Sequence, residues 1–405
     1  MSATSTSSPE ASRALGLSTV AFTICFAVWT VFSIIGLQIR DQLDLSETRF
    51  GLLVGLPILT GSLTRIFLGI ATDRIGGRAV YTLTMLAAAA ATFLLGWAAT
   101  YAQMLVAALG VGLAGGSFAV GVAYVSRFYA DARQGTALGI FGIGNVGAAV
   151  TKFAAPFVML AYGWQMTAQI WAAVLTVTAV LFWVLSKDDP VTAARRGGQM
   201  EQRSLRAEMA PLGNMQVWRF SAYYFFSFGA FVALALWLPH YLIGVYGLNV
   251  RTAGMIGAAY SIPASIFRAY GGILSDRVGA RRVMYATFAV SLAATAILSA
   301  PGGIPLPVFL VVIFVLGFFM SLGKAAVYKH IPSYYPQNVG AVGGLVGMIG
   351  GLGGFVLPLL FGWLKDETGL WSSCFAVLFM LVAGCMVWMH LSVRRMTRPA
   401  TLQTA

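Results

Sequence analysis

The sequence predicts an all-α integral membrane protein, with twelve transmembrane helices in two pseudo-symmetric halves of six. Three observations lead to this fold class: the composition, the number of apolar segments of helix length, and an internal repeat. Of the 405 residues, 59% are hydrophobic and 10% are charged, whereas soluble globular chains carry roughly 25% charged residues. A soluble fold is therefore excluded, and the 46 glycines are attributed to close helix packing in lipid.

Twelve apolar segments are each long enough to span a bilayer, which takes about 20 helical residues. Their centres fall near residues 26, 61, 90, 114, 147, 176, 230, 262, 292, 317, 350 and 382. The longest polar interruption runs from Lys187 to Gln216. The sequence therefore predicts an N-terminal six-helix half over 1–186, a cytoplasmic linker over 187–215 and a C-terminal half over 216–405.

The distribution of Lys and Arg predicts the orientation, because positive charge is retained on the cytoplasmic side of a membrane. With both termini cytoplasmic, four basic residues lie outside: Arg40, Arg49, Arg251 and Lys365. Seventeen then lie inside: Arg13, Arg74, Arg78, Arg127, Arg133, Lys187, Arg195, Arg196, Arg203, Arg206, Arg219, Arg277, Arg281, Arg282, Arg394, Arg395 and Arg398. We expect a multi-pass protein of the inner (plasma) membrane. Its net charge of +13 reflects these loops and not a nucleic-acid-binding surface.

An internal repeat relates the two halves at an offset of 203 residues. The first copy is Arg65, Gly69, Asp73, Arg74, Gly76 and Arg78, and the second is Arg268, Gly272, Asp276, Arg277, Gly279 and Arg281. Parallel repeats of this kind enclose a substrate site near the bilayer midplane. The loops after the second and eighth helices repeat their charges, and we expect those side chains to gate the protein by pairing with neighbouring helix ends. The expected gating residues are Asp73, Arg74, Arg78, Asp276, Arg277 and Arg281.

Two arginines lie where a charge is costly, since a charged side chain at a helix centre costs roughly 2.5–3.5 kcal/mol on insertion scales. Arg65 and Arg268 occupy matching places in the second and eighth helices, and all 13 acidic residues fall in predicted loops or termini. The missing counter-ion is then an anionic substrate bound between the arginines. A guanidinium fork suits a flat anion with two oxygens on one edge, and nitrate, nitrite and small carboxylates all meet that description.

Three lysines also fall inside apolar segments. Lys152 lies about midway along the fifth helix, where it adds positive potential, titrates during transport or serves as a structural lysine bonded to carbonyls. Lys324 and Lys329 lie toward the cytoplasmic end of the tenth helix, and we expect them at a gate or interface rather than in the substrate site.

Two glycine-rich segments, over 135–147 and 340–354, occupy the fifth and eleventh helices. With the two arginines and the stretch 323–336, they resemble the signatures of the nitrate/nitrite porter family of the major facilitator superfamily, and the resemblance spans nearly the whole chain. It implies the major facilitator fold and a site for nitrate and nitrite between the arginines. The implied substrate-binding residues are Arg65, Arg268, Asn145, Tyr224, Phe26, Phe118, Phe228, Gly144 and Gly347.

We expect transport by alternating access, in which the anion bridges the arginines of the two halves, with no catalytic residue, metal or cofactor. We expect a monomer in the lipid bilayer. Exchange of nitrate for nitrite and proton-coupled import both stay open, because the family members that only exchange lack a lysine at the position of Lys152. A carrier of small organic carboxylates is the alternative function. A membrane enzyme or sensor is disfavoured, because the sequence contains no nucleophile with a base, no metal-ligand spacing and no phosphate-binding loop.

Overall fold

The structure is a computed structural model that describes residues 9–45, 47–198, 204–300 and 303–397. Throughout these ranges the chain is helical apart from short turns and loops, and no strand occurs in them. Ten continuous stretches of the described helices are long and apolar enough to cross a membrane. Two of these, over 131–185 and 255–298, have 55 and 44 residues, which is enough to cross about twice at 20 residues each.

Twelve spans result, which confirms the predicted all-α class and the twelve-helix count. Spans 1 to 6 are formed, in order, by Pro9–Trp29 with Phe32–Leu43, Glu47–Ile75, Gly77–Leu95, Tyr101–Ser126, Asp131–Phe141 with the first part of Gly147–Leu185, and the remainder of Gly147–Leu185. Spans 7 to 12 are formed by Met215–Tyr224 with Phe231–Tyr246, Val250–Leu274, Ala280–Leu298, Leu306–Tyr334, Val339–Thr368 and Ser373–Thr397.

Local irregularities separate or bend several spans. Spans 5 and 6 are divided by a kink at Gly163, whose φ of 80° is accessible to glycine. Within span 5, the five residues Gly142–Val146 form a tighter 3₁₀ turn. Within span 7, Phe225–Ala230 form a wider π turn. Such turns are frequent near functional sites because they re-aim side chains, and both of these lie beside the central arginines.

The linker between the halves holds two short helices, Pro190–Arg196 and Leu205–Met209. Lys187 at its start pairs with Glu10 at the start of span 1, with 2.7 Å between Nζ and Oε1. The start of span 1 and the start of the linker therefore lie at the same end of the bundle, which we call the linker end. The first turn of span 3 lies there too, because the Arg78 guanidinium donates to the carbonyl of Trp183 at the end of span 6.

The two halves touch through glycines near the linker end. A Cβ added at Gly69 in span 2 would collide with the carbonyl of Gly340 in span 11, and one added at Gly340 would collide with the carbonyl of Gly69. Gly272 in span 8 and Gly135 in span 5 show the same reciprocal contact. Backbone therefore meets backbone at two crossings, one on each side of the pseudo-symmetric interface.

A cavity of about 150 Å³ lies between the halves on the other side of the arginines. Its wall includes Val54 and Ile58, which precede Arg65 in a span that runs toward the linker end, and Ser261 and Ser265, which precede Arg268 in another such span. The cavity thus extends from the centre of the bundle away from the linker end. The conformation is closed at the linker end and has its internal space toward the opposite end.

Candidate functional site

Arg65 lies at the centre of the bundle with 1% of its surface exposed. Its Nε donates to the carbonyl of Gly115 in span 4, at 3.1 Å, and its Nη1 donates to the carbonyl of Gly347 in span 11, at 2.7 Å. One guanidinium group therefore bonds to both halves of the protein. These carbonyls replace part of the water that a buried cation loses.

Arg268 is equally buried but bonds differently. Its Nη2 lies 3.4 Å from the Tyr224 hydroxyl, a long hydrogen bond. Its Nε and Nη1 have no hydrogen-bond partner among the residues that the structure describes. Buried donors are nearly always paired, so unpaired ones on a cation call for an explanation such as a ligand. Arg268 therefore has two donor nitrogens available for an acceptor from outside the protein.

Aromatic rings surround both guanidinium groups. The ring of Phe118 lies against both, with its centroid 5.5 Å from Cζ of Arg65 and 4.9 Å from Cζ of Arg268. Phe228 packs on Arg65 at 5.5 Å and stacks on Tyr224 at 5.0 Å. Rings at these distances attract a cation through their electron-rich faces and keep water away. The sequence-predicted residues Phe118, Tyr224 and Phe228 are thus brought together with both arginines.

The glycine-rich segments admit these bulky groups. A Cβ at Gly142 would strike the Arg268 side chain, with Cζ at 2.8 Å, and one at Gly144 would strike the ring of Phe22. On span 11, a Cβ at Gly347 would lie 2.7 Å from the Tyr328 hydroxyl and 3.2 Å from Cδ of Arg65. The two predicted glycines, Gly144 and Gly347, therefore leave space for aromatic and arginine side chains at the centre.

Three further predicted residues line the cavity. Asn145 lies in the 3₁₀ turn of span 5, 9% exposed, and its Oδ1 has no partner among the described residues. Lys152, farther along span 5, lines this cavity and an adjoining one of about 360 Å³. Phe26 forms part of the wall and packs edge-to-face on Trp29 at 5.0 Å. Phe26 and Lys152 therefore belong to the cavity wall, one step removed from the contacts that hold the arginines.

Two carboxylates close the linker end. Asp73 in span 2 is fully buried and accepts hydrogen bonds from the backbone N–H groups of Gly340, at 3.0 Å, and Ala341, at 2.8 Å, at the start of span 11. Asp276, its repeat partner, accepts from the N–H groups of Gly135, at 3.0 Å, and Thr136, at 2.6 Å, in span 5. Each carboxylate bonds to the opposite half of the protein, and for Asp73 the partner is the first turn of a helix, where the backbone N–H groups favour an anion.

Basic side chains complete these two contacts. Arg127 pairs with Asp73 at 2.7 Å and also with Asp189 of the linker at 3.3 Å. Lys329 pairs with Asp276 at 3.2 Å and with Asp131 at 3.3 Å. Lys329 thus lies at the interface, as the sequence suggested.

The predicted gating arginines occupy other positions. Arg78 stacks on Trp183 at 4.2 Å and so stays within the N-terminal half. Arg277 is exposed, and Arg74 and Arg281 are half-buried. The sequence led us to expect Asp73 in a loop, but it lies in the last turn of Glu47–Ile75. The helix can extend that far because the facing helix N-terminus and Arg127 compensate the carboxylate's burial.

Comparison with known proteins bears on this arrangement. The family model described as "Major Facilitator Superfamily" matches residues 17–258 and 246–404. A protein of Thermus thermophilus called "Probable nitrate/nitrite antiporter NarK1" is 42% identical, over 96% of this chain and 93% of its own. The chain belongs to the nitrate/nitrite porter family of the Major Facilitator Superfamily. The "Nitrite extrusion protein" of Bacillus subtilis is 31% identical over 95% of each chain.

Solved structures share the major facilitator fold. The proton:xylose symporter XylE superposes with a TM-score of 0.78 at 12% identity, over 95% of this chain and 96% of its own. The human organic anion transporter MFSD10 has a TM-score of 0.75 at 13% identity, over 94% and 100% of the two chains. At this identity the likeness concerns the fold alone, and it confirms the predicted major facilitator architecture.

Sequence reasoning missed three residues of this porter's centre. Trp29 packs on Arg65 at 5.5 Å, and Tyr328 packs on Arg268 at 5.9 Å while donating to the carbonyl of Gly343. Lys324, assigned from the sequence to a gate or interface, has no exposed surface and lies against the ring of Phe231 in the cavity wall. Trp29 adjoins Phe26, and the other two fall in the stretch 323–336 that carried the family resemblance, so the segments were recognised but not these side chains.

Proposed function

We propose that this chain is a carrier of nitrate and nitrite that binds the anion between Arg65 and Arg268. The observation that carries the proposal is the pair of buried, unpartnered donor nitrogens on Arg268. An anion next to them supplies both the acceptors and the negative charge that the described residues lack. The names of the relatives, which include nitrate and nitrite transport, agree with an anion of this kind.

Several contacts favour a small planar anion. The Tyr224 hydroxyl accepts from Arg268, so its own proton is available to an oxygen of the ligand. Phe118 and Phe228 border the arginines and limit the space, and a guanidinium offers parallel donors to two oxygens on one edge. Nitrate and nitrite match these features while needing no apolar pocket for a carbon chain. A single chain contains both arginines, so we infer that the monomer is the working unit.

Transport follows from alternating access. In the described conformation the linker end is closed by Asp73 and Asp276, and the cavity extends toward the opposite end. We infer that an anion enters from that opposite end, bridges the arginines and allows the halves to rock. The linker end then opens, and the anion leaves there.

The decisive experiment is counterflow of labelled nitrate in proteoliposomes that contain unlabelled nitrate, nitrite, acetate or buffer alone. We expect uptake driven by internal nitrate or nitrite and little by acetate. Arg65→Lys and Arg268→Lys should each reduce uptake about 100-fold, since a lysine loses the bidentate charge-assisted bonds worth roughly 3 kcal/mol. Arg282→Lys, at an exposed position of the linker end, is the matched control and should transport normally.

Two outcomes would contradict the proposal. Preference for acetate over nitrate would identify an organic carboxylate carrier instead. Full activity of both central variants would remove the arginines from the site.

The orientation has its own test. We infer that the linker end faces the cytoplasm of a cell whose inner membrane holds the protein, because the basic residues concentrate there. The three native cysteines are buried, so single added cysteines report cleanly. A membrane-impermeant maleimide applied to intact cells should label Thr368→Cys at the opposite end and not Ser204→Cys in the linker. Labelling of the linker variant alone would reverse the orientation.

A further inference from the structure

Lys324 is a buried lysine that the proposed anion site does not use. It lies in span 10 with no exposed surface, and its Nζ has no hydrogen-bond partner within the described ranges. Among the described residues, the one contact that stabilises a positive charge on Nζ is with the face of the Phe231 ring. The ring centroid lies 3.3 Å from Nζ. Phe231 is also part of the cavity wall. The lysine is therefore adjacent to the cavity through this ring.

The charges around Lys324 are positive. Span 10 packs against spans 8, 9, 7 and 11 and against the start of span 5. From span 8, Tyr260 stacks on Phe231 at 4.9 Å, and the same span holds the buried Arg268. Lys152 of span 5 faces the same cavity. The other titratable or charged groups on these spans, among side chains that the structure describes, are Asp131, Arg133, Arg219, Tyr223, Tyr224, His240, Tyr241, Tyr246, Tyr270, Asp276, Arg277, Arg281, Arg282, Tyr285, Lys365, Asp366 and Glu367.

The carboxylates in this set are remote or already engaged. Asp131 and Asp276 bind Lys329 at the linker end, and Asp276 also accepts backbone hydrogen bonds. Asp366 and Glu367 lie at the far end of span 11. No carboxylate among the described residues pairs with Lys324. A buried ammonium without a counter-ion is unfavourable, and unlike an arginine a lysine can give up its proton.

We propose that Lys324 carries a proton together with the anion, so that transport is proton-coupled. This inference rests on the proposed function. The bound anion supplies the negative charge that a protonated Lys324 needs, so anion binding and proton binding favour each other, and by linkage each strengthens the other equally.

The charge balance explains why such a carrier can return empty. With neutral Lys324 and no anion, the centre carries the two positive charges of Arg65 and Arg268. When one proton and one monovalent anion bind, the added charges cancel and the centre again carries two. The proton comes from water in the open cavity and forms an N–H bond at Nζ, and it returns to water on the linker side after the anion leaves. Transport is then electroneutral, with one proton per anion.

The test compares two assays in the same proteoliposomes, loaded with a pH-sensitive dye. The first is nitrate counterflow without a pH difference, and the second is nitrate uptake into anion-free vesicles with the outside more acidic. For the wild type we expect acidification to accelerate uptake at least about fivefold, the lower end of usual coupling energies, with dye-reported proton entry matching nitrate entry. Lys324→Met should keep counterflow within about threefold and lose the acceleration and the proton entry, because it removes the titrating group but preserves the anion contacts.

Two further variants sharpen this result. Lys324→Arg keeps a charge that cannot be released, so it should also lose the acceleration, and it tests the proposal even if the methionine variant fails to fold. Lys187→Met, an exposed lysine of the linker end, is the matched control and should behave as wild type.

The failures are distinguishable. If the wild type shows no nitrate counterflow, the proposed function and this inference fall together. If counterflow is normal but acidification changes nothing, the carrier is an exchanger and only the role of Lys324 falls. If Lys324→Met and Lys324→Arg keep the acceleration, or if only Lys152→Met loses it, the proton resides elsewhere and the inference is overturned.

Discussion

The two halves hold their central arginines in different ways, although the sequence presents them as equivalent repeats. Arg65 donates to a carbonyl in each half, so it already connects span 2 to span 11 without a ligand. Arg268 has one long hydrogen bond and two unpaired donor nitrogens, and a buried lysine of the same half, Lys324, also lacks a hydrogen-bond partner among the described residues. The N-terminal arginine thus contributes to architecture as well as binding, while the C-terminal half holds the charge that a ligand must compensate.

The largest expected effect comes from removing the charge of each central arginine in turn. Arg65→Met and Arg268→Met should both abolish measurable nitrate counterflow but differ in thermal stability. Arg65→Met leaves two buried carbonyls without their donor, and each lost bond to a charged group is worth about 1.5–3 kcal/mol. Arg268→Met removes an uncompensated buried charge, so its unfolding temperature in detergent should match or exceed that of wild type. Equal destabilisation by both variants would contradict the asymmetry.

Binding of nitrate should increase the free energy of unfolding of the wild type, because the anion compensates the charge of the central arginines. Nitrate at a hundred times its dissociation constant should stabilise the wild type by about 2.7 kcal/mol, seen as a rise in unfolding temperature. Neither methionine variant should respond, and sulfate at the same ionic strength is the control for nonspecific salt effects. A nitrate response in Arg268→Met would show that the anion binds away from this arginine.

The closure at the linker end should behave more symmetrically than the arginines do. Asp73→Asn and Asp276→Asn each weaken a carboxylate that joins the two halves, and breaking a buried ion pair costs roughly 3–5 kcal/mol. Both should shift the protein toward opening at the linker end, with the larger shift for the fully buried Asp73. The measurement is maleimide labelling of Val122→Cys, a buried position facing Gly343, in each background. Unchanged labelling in both would mean that these carboxylates do not hold the closure.

A finer comparison uses the two glycine-rich segments. Gly142→Ala forces its methyl group against the guanidinium of Arg268, while Gly347→Ala presses on the Tyr328 hydroxyl beside Arg65. Overpacking of this kind costs about 1–3 kcal/mol. Because Arg268 has fewer bonds to restore its position, Gly142→Ala should weaken nitrate affinity more, measured by the nitrate dependence of counterflow. A larger loss in Gly347→Ala would contradict the weaker anchoring of Arg268.

The smallest expected effect is that of Tyr224→Phe. It removes a hydroxyl that accepts from Arg268 and has a proton available for the anion, while the stacked ring on Phe228 remains. A neutral hydrogen bond contributes roughly 0.5–1.5 kcal/mol, so nitrate affinity should fall about three- to tenfold. Tyr223→Phe, one residue away and outside the arginine contacts, is the matched control. Equal effects of the two changes would remove Tyr224 from the proposed site.

Much of this fold can be predicted from the sequence, because the features that define it can be read directly along the chain. Apolar length gives the spans, and the 203-residue repeat locates Arg65 and Arg268 at equal depth. Depth along a helix, however, does not say which neighbour a side chain meets. Lys324 was assigned to the gate region from its distance along span 10, while burial against Phe231 is a property of the packed bundle. Nor could the pattern show that Asp73 and Asp276 reach across to the opposite half.

The glycine crossings of span 2 with span 11 and of span 5 with span 8 have a mechanical consequence. Where backbone touches backbone, there is no side-chain rotamer to relax, so the separation of the two helices at that point is set by van der Waals contact between backbone atoms. Motion that keeps these contacts must turn the helices about them rather than spread them apart. Any larger residue at Gly69 or Gly272 would then act as a wedge that favours one orientation of the two halves.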